Sequence, residues 1–402
     1  MLTKTGVGFT NKTDSFLAGR EVAQRATEHL DSTEVDLVVT FCNGKHDPVQ
    51  FLGGVRSVTG NAPVVGGAAV GVFTNTDLSY EEYEANAVVF KSDSIKFKVF
   101  AESNLDKGEF TTGLKLGEQI RLAASDSDKG LVVFYDTIKS RQPLLFNFAT
   151  PLFKAIEQVV DPSLNCVGCG LVGDVQLMYS YQFFNDQVLQ QHAVALLVSG
   201  KCQMHHIIMH GCKPASTYKT ITRTEGPVIF EIDHRPALEV IDEMFPFDKK
   251  LSWDKYPLLL TLGLNRGNKF EEFNEEAYAN RLCLAIDRDK KALTMFEPDL
   301  KAGDEVQLMH RSITLDYIKN GIDSLRRKSE GLKPVSYLYI NCFGRAKPFG
   351  GGILEDADEI RKSIGPEVTF AGFYSGVEVA KVRNQMQALD WTGVLCLLSE
   401  AE

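Results

Sequence analysis

Short apolar runs and helix-spaced apolar stripes alternate along this chain, and they do so in a repeating order. The order is clearest near the C-terminus. Residues 336–342 form a dense apolar run that predicts a strand leading into Gly344 and Arg345. Residues 356–362 then carry a helical pattern, residues 369–378 join a short strand to a turn of small residues, and residues 391–398 predict a closing strand. The same order stands upstream. Residues 36–42 and 131–135 predict opening strands. Residues 51–58 and the stripe Phe153, Ile156 and Val160 predict the helices that follow, and residues 64–71 and 166–173 predict strands running into glycine turns. Strands over 87–90 and 95–100, and again over 192–198 and 202–208, read as antiparallel pairs.

Each turn has a glycine five residues after a small residue: Gly66 and Gly71, Gly168 and Gly173, Ala371 and Gly376. From 71 to 173 is 102 residues and from 173 to 376 is 203, so a degenerate unit is expected in the middle. Its opening strand would span 257–262 and its closing strands 281–286 and 292–296. Further helices are predicted behind Asp14 and Ser15, with Leu17, Val22, Ala26 and Leu30 on one side, and around 116–124. Another opens at Arg235 and Pro236 with Leu238, Ile241 and Phe245 on one face, and a last one carries Ile318, Ile322 and Leu325. The expected fold is α/β: repeated strand–helix–strand–strand units in mixed sheets with flanking helices, arranged as two tightly packed halves, 1–222 and 223–402. Neither a dinucleotide-binding glycine fingerprint nor a P-loop is present.

Composition narrows the classes. With 402 residues, 44% hydrophobic and 24% charged, the chain has the make-up of a soluble protein of more than one domain. A net charge of -10 argues against a nucleic-acid surface. The apolar runs are too short for a membrane span, and residues 1–6 lack the apolar stretch of a signal peptide. The expectation is a cytoplasmic protein without membrane contact, its eight cysteines reduced.

The candidate chemistry has four centres. Small residues at Gly67, Gly71 and Gly376 either let a ligand approach the backbone or permit close packing, and Tyr374 and Glu378 add side chains able to touch a ligand. Cys342 beside Arg345 reads as a thiolate nucleophile or as a structural pair. Cys166 and Cys169 have metal or redox spacing without a second pair, which predicts two buried thiols. The stretch 202–212 holds His205, His206 and His210 among apolar residues. In a strand, His206 and His210 stand about 13 Å apart at ~3.3 Å per residue, so one imidazole at most would bind a haem iron. His192 and His46 are further candidates.

Residues 211–214 (GCKP), 225–233 (EGPVIFEID), 236–238 (PAL), 342–345 (CFGR) and 371–378 (AGFYSGVE), in that order and spacing, make the chain resemble the FIST family of bacterial signal-transduction domains. The N-terminal FIST region would reach about residue 222 and the C-terminal region would follow. At 67–72 (GAAVGV) the chain departs from the family pattern, in which a polar or acidic residue often follows the glycine. The resemblance implies a non-enzymatic sensory module for a small ligand, with amino acids the usual suggestion. Free-standing members include haem-binding nitric-oxide sensors that act on a histidine kinase or a cyclic-di-GMP enzyme. The expected protein is therefore a sensor reporting to such a separate partner, with haem as one possible cofactor and an amino-acid-type ligand as the other form. A thiol-dependent enzyme using Cys342 is the alternative. Ligand contacts are expected from Cys342, Arg345, Tyr374, Gly376, Glu378, Gly67 and Gly71. The haem ligand is expected at His206, then among His205, His210, His192 and His46.

Overall fold

Three of the sheets follow one plan. The computed structural model describes residues 3–30, 32, 34–244, 260–312, 314–347 and 355–401. The first unit runs β1 (Lys4–Thr10), α1 (Ser15–Thr27), β2 (Leu37–Asn43), α2 (Pro48–Thr59), β3 (Val64–Ala69), the hairpin β4 (Val72–Thr74) and β5 (Leu78–Ser79), and β6 (Ala85–Lys91). The second repeats this order as β7 (Ile95–Glu102), α3 (Glu109–Leu122) and β8 (Asp128–Asp136), then an extra hairpin, β9 (Ile138–Arg141) and β10 (Leu144–Phe146). It continues through α4 (Ala149–Glu157), β11 (Asn165–Leu171), the hairpin β12 (Gln182–Phe184) and β13 (Gln187–Leu189), and β14 (Ala193–Gly200).

The third unit is interrupted after its first strand, β15 (Cys202–Met209). An antiparallel segment intervenes: β16 (Cys212–Pro214), β17 (Lys219–Glu225), β18 (Val228–Ile232), β19 (Arg235–Pro236), α5 (Ala237–Met244), β20 (Thr261–Asn265), β21 (Tyr278–Asp287), β22 (Ala292–Met295) and β23 (Glu305–Arg311). Pairing of β20 with β23 closes these strands into a small barrel. The unit then resumes with α6 (Asp316–Lys328), β24 (Lys333–Cys342), α7 (Asp356–Ile364), β25 (Thr369–Ser375), the hairpin β26 (Val377–Val382) and β27 (Gln385–Leu389), and β28 (Gly393–Glu400).

In each unit the opening strand lies parallel to the strand after the crossover helix, as β2 to β3, β8 to β11 and β24 to β25, and antiparallel to the closing strand. These central strands are buried on both faces, which is why they read as continuous apolar runs. The hairpins are exchanged. β12 pairs with β3, β26 with β11, and β4 with β25, so every sheet is completed by a hairpin from another unit. The inner faces of the three sheets meet in one core, where Phe41 stacks on Phe373 at 3.7 Å and Phe134 lies edge-on at 5.6 Å from Phe41.

The α/β class stands, and several expectations need correction. Closing strand and following strand do not pair: β6 joins β1 and β2, while β7 joins β14, and β14 and β15 likewise belong to different sheets. The stretch expected to be a degenerate unit folds into the barrel, whose strands at 261–265, 278–287 and 292–295 are all antiparallel. An insertion close to one period in length had imitated a missing repeat. Leu17 is exposed, and the buried stripe of α1 runs through Ala18, Val22 and Ala26 behind the Asp14 cap, whose side chain accepts from the Leu17 N–H at 2.8 Å. Arg235 and Pro236 form a short strand rather than the first turn of α5. Phe245 and residues 257–259 lie outside the described residues. Among the described residues no helix is long and apolar enough to cross a membrane.

Candidate functional site

The C-terminal motif folds into a buried polar knot. At the end of β24 the chain turns, and the Arg345 side chain, 4% exposed, reaches back beneath α7. Its Nη2 donates to Asp356 Oδ2 at 2.6 Å and to the Tyr317 hydroxyl at 2.6 Å, and its Nη1 donates to the carbonyls of His210 and Trp391 at 2.8 and 3.0 Å. Nε donates to Asp356 and Asn341. The guanidinium thus fastens α6, α7, β24 and the end of β15, and its donors are committed within the protein.

Cys342 is buried beside this knot, and burial pushes its thiol well above the usual range. The cation expected to make it a thiolate serves Asp356 instead, so the nucleophile reading does not hold. Glu378 is fully buried on β26. Its Oε1 accepts from the Ser375 hydroxyl at 2.7 Å, and burial drives its carboxyl far upward, toward the neutral acid. Its Oε2, Asn341 Nδ2, Thr137 Oγ1 and the Tyr135 hydroxyl have no hydrogen-bond partner among the described residues.

The remaining motif residues lie apart from that knot. Tyr374 is buried, donates to Glu355 Oε2 at 2.6 Å, and takes the Gly71 carbonyl on its N–H at 2.9 Å. Gly67 lies inside β3 at φ 152°, with the Tyr181 carbonyl where a Cβ would stand. Gly376 follows β25, where a Cβ would come within 3.2 Å of Thr137 and Val172. Gly71, Gly173 and Gly376 mark the places where the chain leaves one sheet for its neighbour, so the repeated glycines serve the strand exchange. Cys166 and Cys169 are buried free thiols on β11, packed into different core clusters.

The histidine strand leads to a cleft. His205 and His206 on β15 line a cavity of about 730 Å³ together with Pro162 and Ser163 of the loop before β11, Asn165 at the start of β11, the barrel residues Asn274 and Glu276, Lys328 of α6, Lys381 of β26 and the turn residues Arg383 and Asn384. Lys381 Nζ is held by the carbonyls of Pro162 and Leu164 at 2.6 and 2.8 Å, so backbone dipoles rather than a carboxylate fix this ammonium. Lys328 pairs with Glu276 at 2.5 Å. Arg383 and Asn384 both take positive φ, 50° and 68°, as a two-residue hairpin turn requires. Three cations thus face one carboxylate in a molecule whose net charge is -10.

The imidazoles differ in what they can still bind. His206 Nδ1 meets Asn165 Oδ1 at 2.7 Å and its Nε2 meets the Lys381 carbonyl at 3.3 Å; burial lowers its pKa to about 4. His210 accepts from the Cys212 N–H through Nδ1 at 2.9 Å and faces the Glu275 carbonyl through Nε2; burial and then Arg345 lower it to about 3. His46 is held by Ser15 and the Tyr83 carbonyl, and His192 Nδ1 faces the Gln190 carbonyl. His205 alone of the five lines the cleft with a buried Nε2 that lacks a hydrogen-bond partner.

These surroundings do not fit haem. Among the described residues, the cleft that His205 lines is walled by charged residues, imidazoles, amides and a hydroxyl, with Pro162 its one apolar residue. An apolar cavity between the three sheets, lined by Val39, Val132, Leu196 and Leu338 among others, measures about 60 Å³ and contains no imidazole. Among the described residues no three His, Cys, Asp or Glu side chains converge for a metal ion.

Comparison with known proteins places the chain. The model of the FIST N domain matches residues 36–235 and that of the FIST C domain residues 237–381. The chain belongs to the FIST family, whose domains are sensory, linked to signalling and generally non-catalytic. An uncharacterized protein of Methanocaldococcus jannaschii is 21% identical over 344 residues, 81% of this chain; the chain spans 63% of that relative's length. Among solved structures, a chorismatase superposes with a TM-score of 0.36 at 10% identity, covering 99% of both chains. A cyanuric acid hydrolase gives 0.35 at 8%, covering both chains fully.

Proposed function

We propose that this FIST protein is a non-enzymatic sensor whose ligand, a small polar molecule bearing a negative charge, binds in the His205–Lys381 cleft and is reported to a separate signalling protein. The observation that carries this reading is the cleft itself. Its volume falls within the ~300–1,000 Å³ of small-ligand sites. Its lysine is oriented by two backbone carbonyls, and a buried ring nitrogen of His205 has its hydrogen-bonding capacity left over. A carboxylate such as that of an amino acid satisfies both groups. Because the second unit, the third unit and the barrel each supply part of the wall, an occupant would draw them together, and that gives a sensor something to report. A histidine kinase or a cyclic-di-GMP enzyme as the receiver rests on the family resemblance.

The test is a thermal-shift and calorimetric screen of amino acids and small carboxylates against the purified chain. A hit should raise the melting temperature, and Lys381→Ala and His205→Ala should each weaken it roughly tenfold or more, since charge-assisted hydrogen bonds contribute about 1.5–3 kcal/mol. A hit that binds both variants as well as wild type would remove the cleft from consideration.

A further inference from the structure

The cleft does not end at its cations. A groove of about 140 Å³ under residues 266–274 shares Asn274 and Arg383 with it, so the two adjoin at the Arg383 side chain. The groove differs in chemistry. Three aromatic side chains stand in its wall, Tyr218, Tyr278 and Phe273, the last with its ring 5.3 Å from that of Tyr278 and 43% exposed, among the polar groups of Asn268, Lys269, Glu272 and Asn274. The polar side chains next to the two tyrosines are engaged with one another. Asn265 Nδ2 donates to the Tyr218 hydroxyl at 2.9 Å, the Tyr278 hydroxyl donates to Gln307 Oε1 at 2.9 Å, and Gln307 Nε2 donates to the Ser216 carbonyl. The half-exposed Phe273 offers the face of a ring to an occupant. Charges of both signs share its wall, with Glu271 3.7 Å from Arg383 Nη2 and Glu272 and Lys269 beside them.

We propose that the ligand of the cleft is an anion carrying a planar ring, with the charged group beside Lys381 and Lys328 and the ring in the groove against Phe273. This rests on the cleft being the ligand site and adds the class of ligand.

Isothermal titration of the full chain with adenosine 5′-monophosphate, guanosine 5′-monophosphate, adenosine, inorganic phosphate, phenylacetate and acetate tests it. A ring-bearing anion should bind about tenfold or more tighter than the bare anion of the same head group, the scale of one aromatic stacking contact. The two nucleotides, if they bind, should agree within about threefold, because stacking tolerates any base. Phe273→Ala should remove the advantage of the ring and leave phosphate or acetate binding unchanged, whereas Lys381→Ala should weaken every anion. Tightening with phenylacetate but not with the nucleotides supports the class with a carboxylate head, and the reverse supports it with a phosphate head. If the bare anions bind in a Lys381-dependent way and no ring adds affinity, this inference falls and the sensor cleft stands. If no anion depends on Lys381, both fall.

Discussion

Arg345 makes six hydrogen bonds to five partners, so a lysine at that position, with three donors on a point charge, would strand the Asp356 carboxylate and the His210 and Trp391 carbonyls. Arg345→Lys should cost on the order of 3–5 kcal/mol of unfolding free energy in urea titrations. Its effect on ligand affinity should be small, and a variant of wild-type stability with lost binding would reverse that assignment. The buried titratable groups set two opposing pH responses. His206 and His210 are held down to about 4 and 3 from an ordinary 6.5, so the stability they contribute is full above pH 6.5 and drains as pH falls toward those values. Glu297 and Asp390 are raised by burial to about 7 and about 6, so theirs is full below the ordinary carboxylate range and drains as pH rises through 6 and 7. His206→Gln should flatten the urea midpoint between pH 6.5 and 4, and Glu297→Gln should flatten it between about pH 4.5 and 7. Profiles parallel to wild type would show that other groups govern the response. Haem added to the purified chain should give no histidine-ligated spectrum; a Soret band abolished by His205→Ala, with the fold intact, would overturn the polar-cleft reading.

At the scale of elements, a tighter backbone approach falls within a strand than at the Gly376 turn. Gly372 on β25 lies with the Tyr339 carbonyl and the Phe73 ring where a Cβ would be, and the carbonyl cannot move without breaking the β24–β25 ladder. Gly372→Ala should therefore destabilise by several kcal/mol through overpacking, more than Gly376→Ala, whose Cβ would meet its neighbours at 3.2 Å; melting curves of the two variants decide the order. The central strands and most helices were legible because their apolar periods are local properties of the chain. Strand partners were not, since β3 finds β12 more than a hundred residues away and nothing within either segment names the other. The site was half legible for the same reason. The histidine strand stood out, but Asn274, Lys328 and the pair Lys381 and Arg383 come from three distant segments and look in sequence like any solvated residue. Cys342 and Arg345 drew notice as a reactive pair because the sequence could not show Asp356 waiting beneath the guanidinium.

Across the whole molecule the exchanged hairpins tie the three sheets into a single closed cycle. The first unit completes the sheet of the third, the third that of the second, and the second that of the first. Native-state hydrogen exchange should accordingly find β8, β11, β24 and β25 opening with one common free energy, while the barrel, inserted between β15 and α6, is free to open at a lower one. Distinct exchange energies for the three sheets would show that the hairpins do not couple them. The cycle also bears on ancestry. A polypeptide consisting of one unit alone would fold with an unfilled sheet edge and a hairpin projecting from its surface, and the partner for each would be another copy of itself. Three such copies place every hairpin on a neighbour's sheet, so a short ancestral chain built on this plan would have lived as a ring of three, and joining the genes end to end would have turned its symmetry axis into the centre of a single protein.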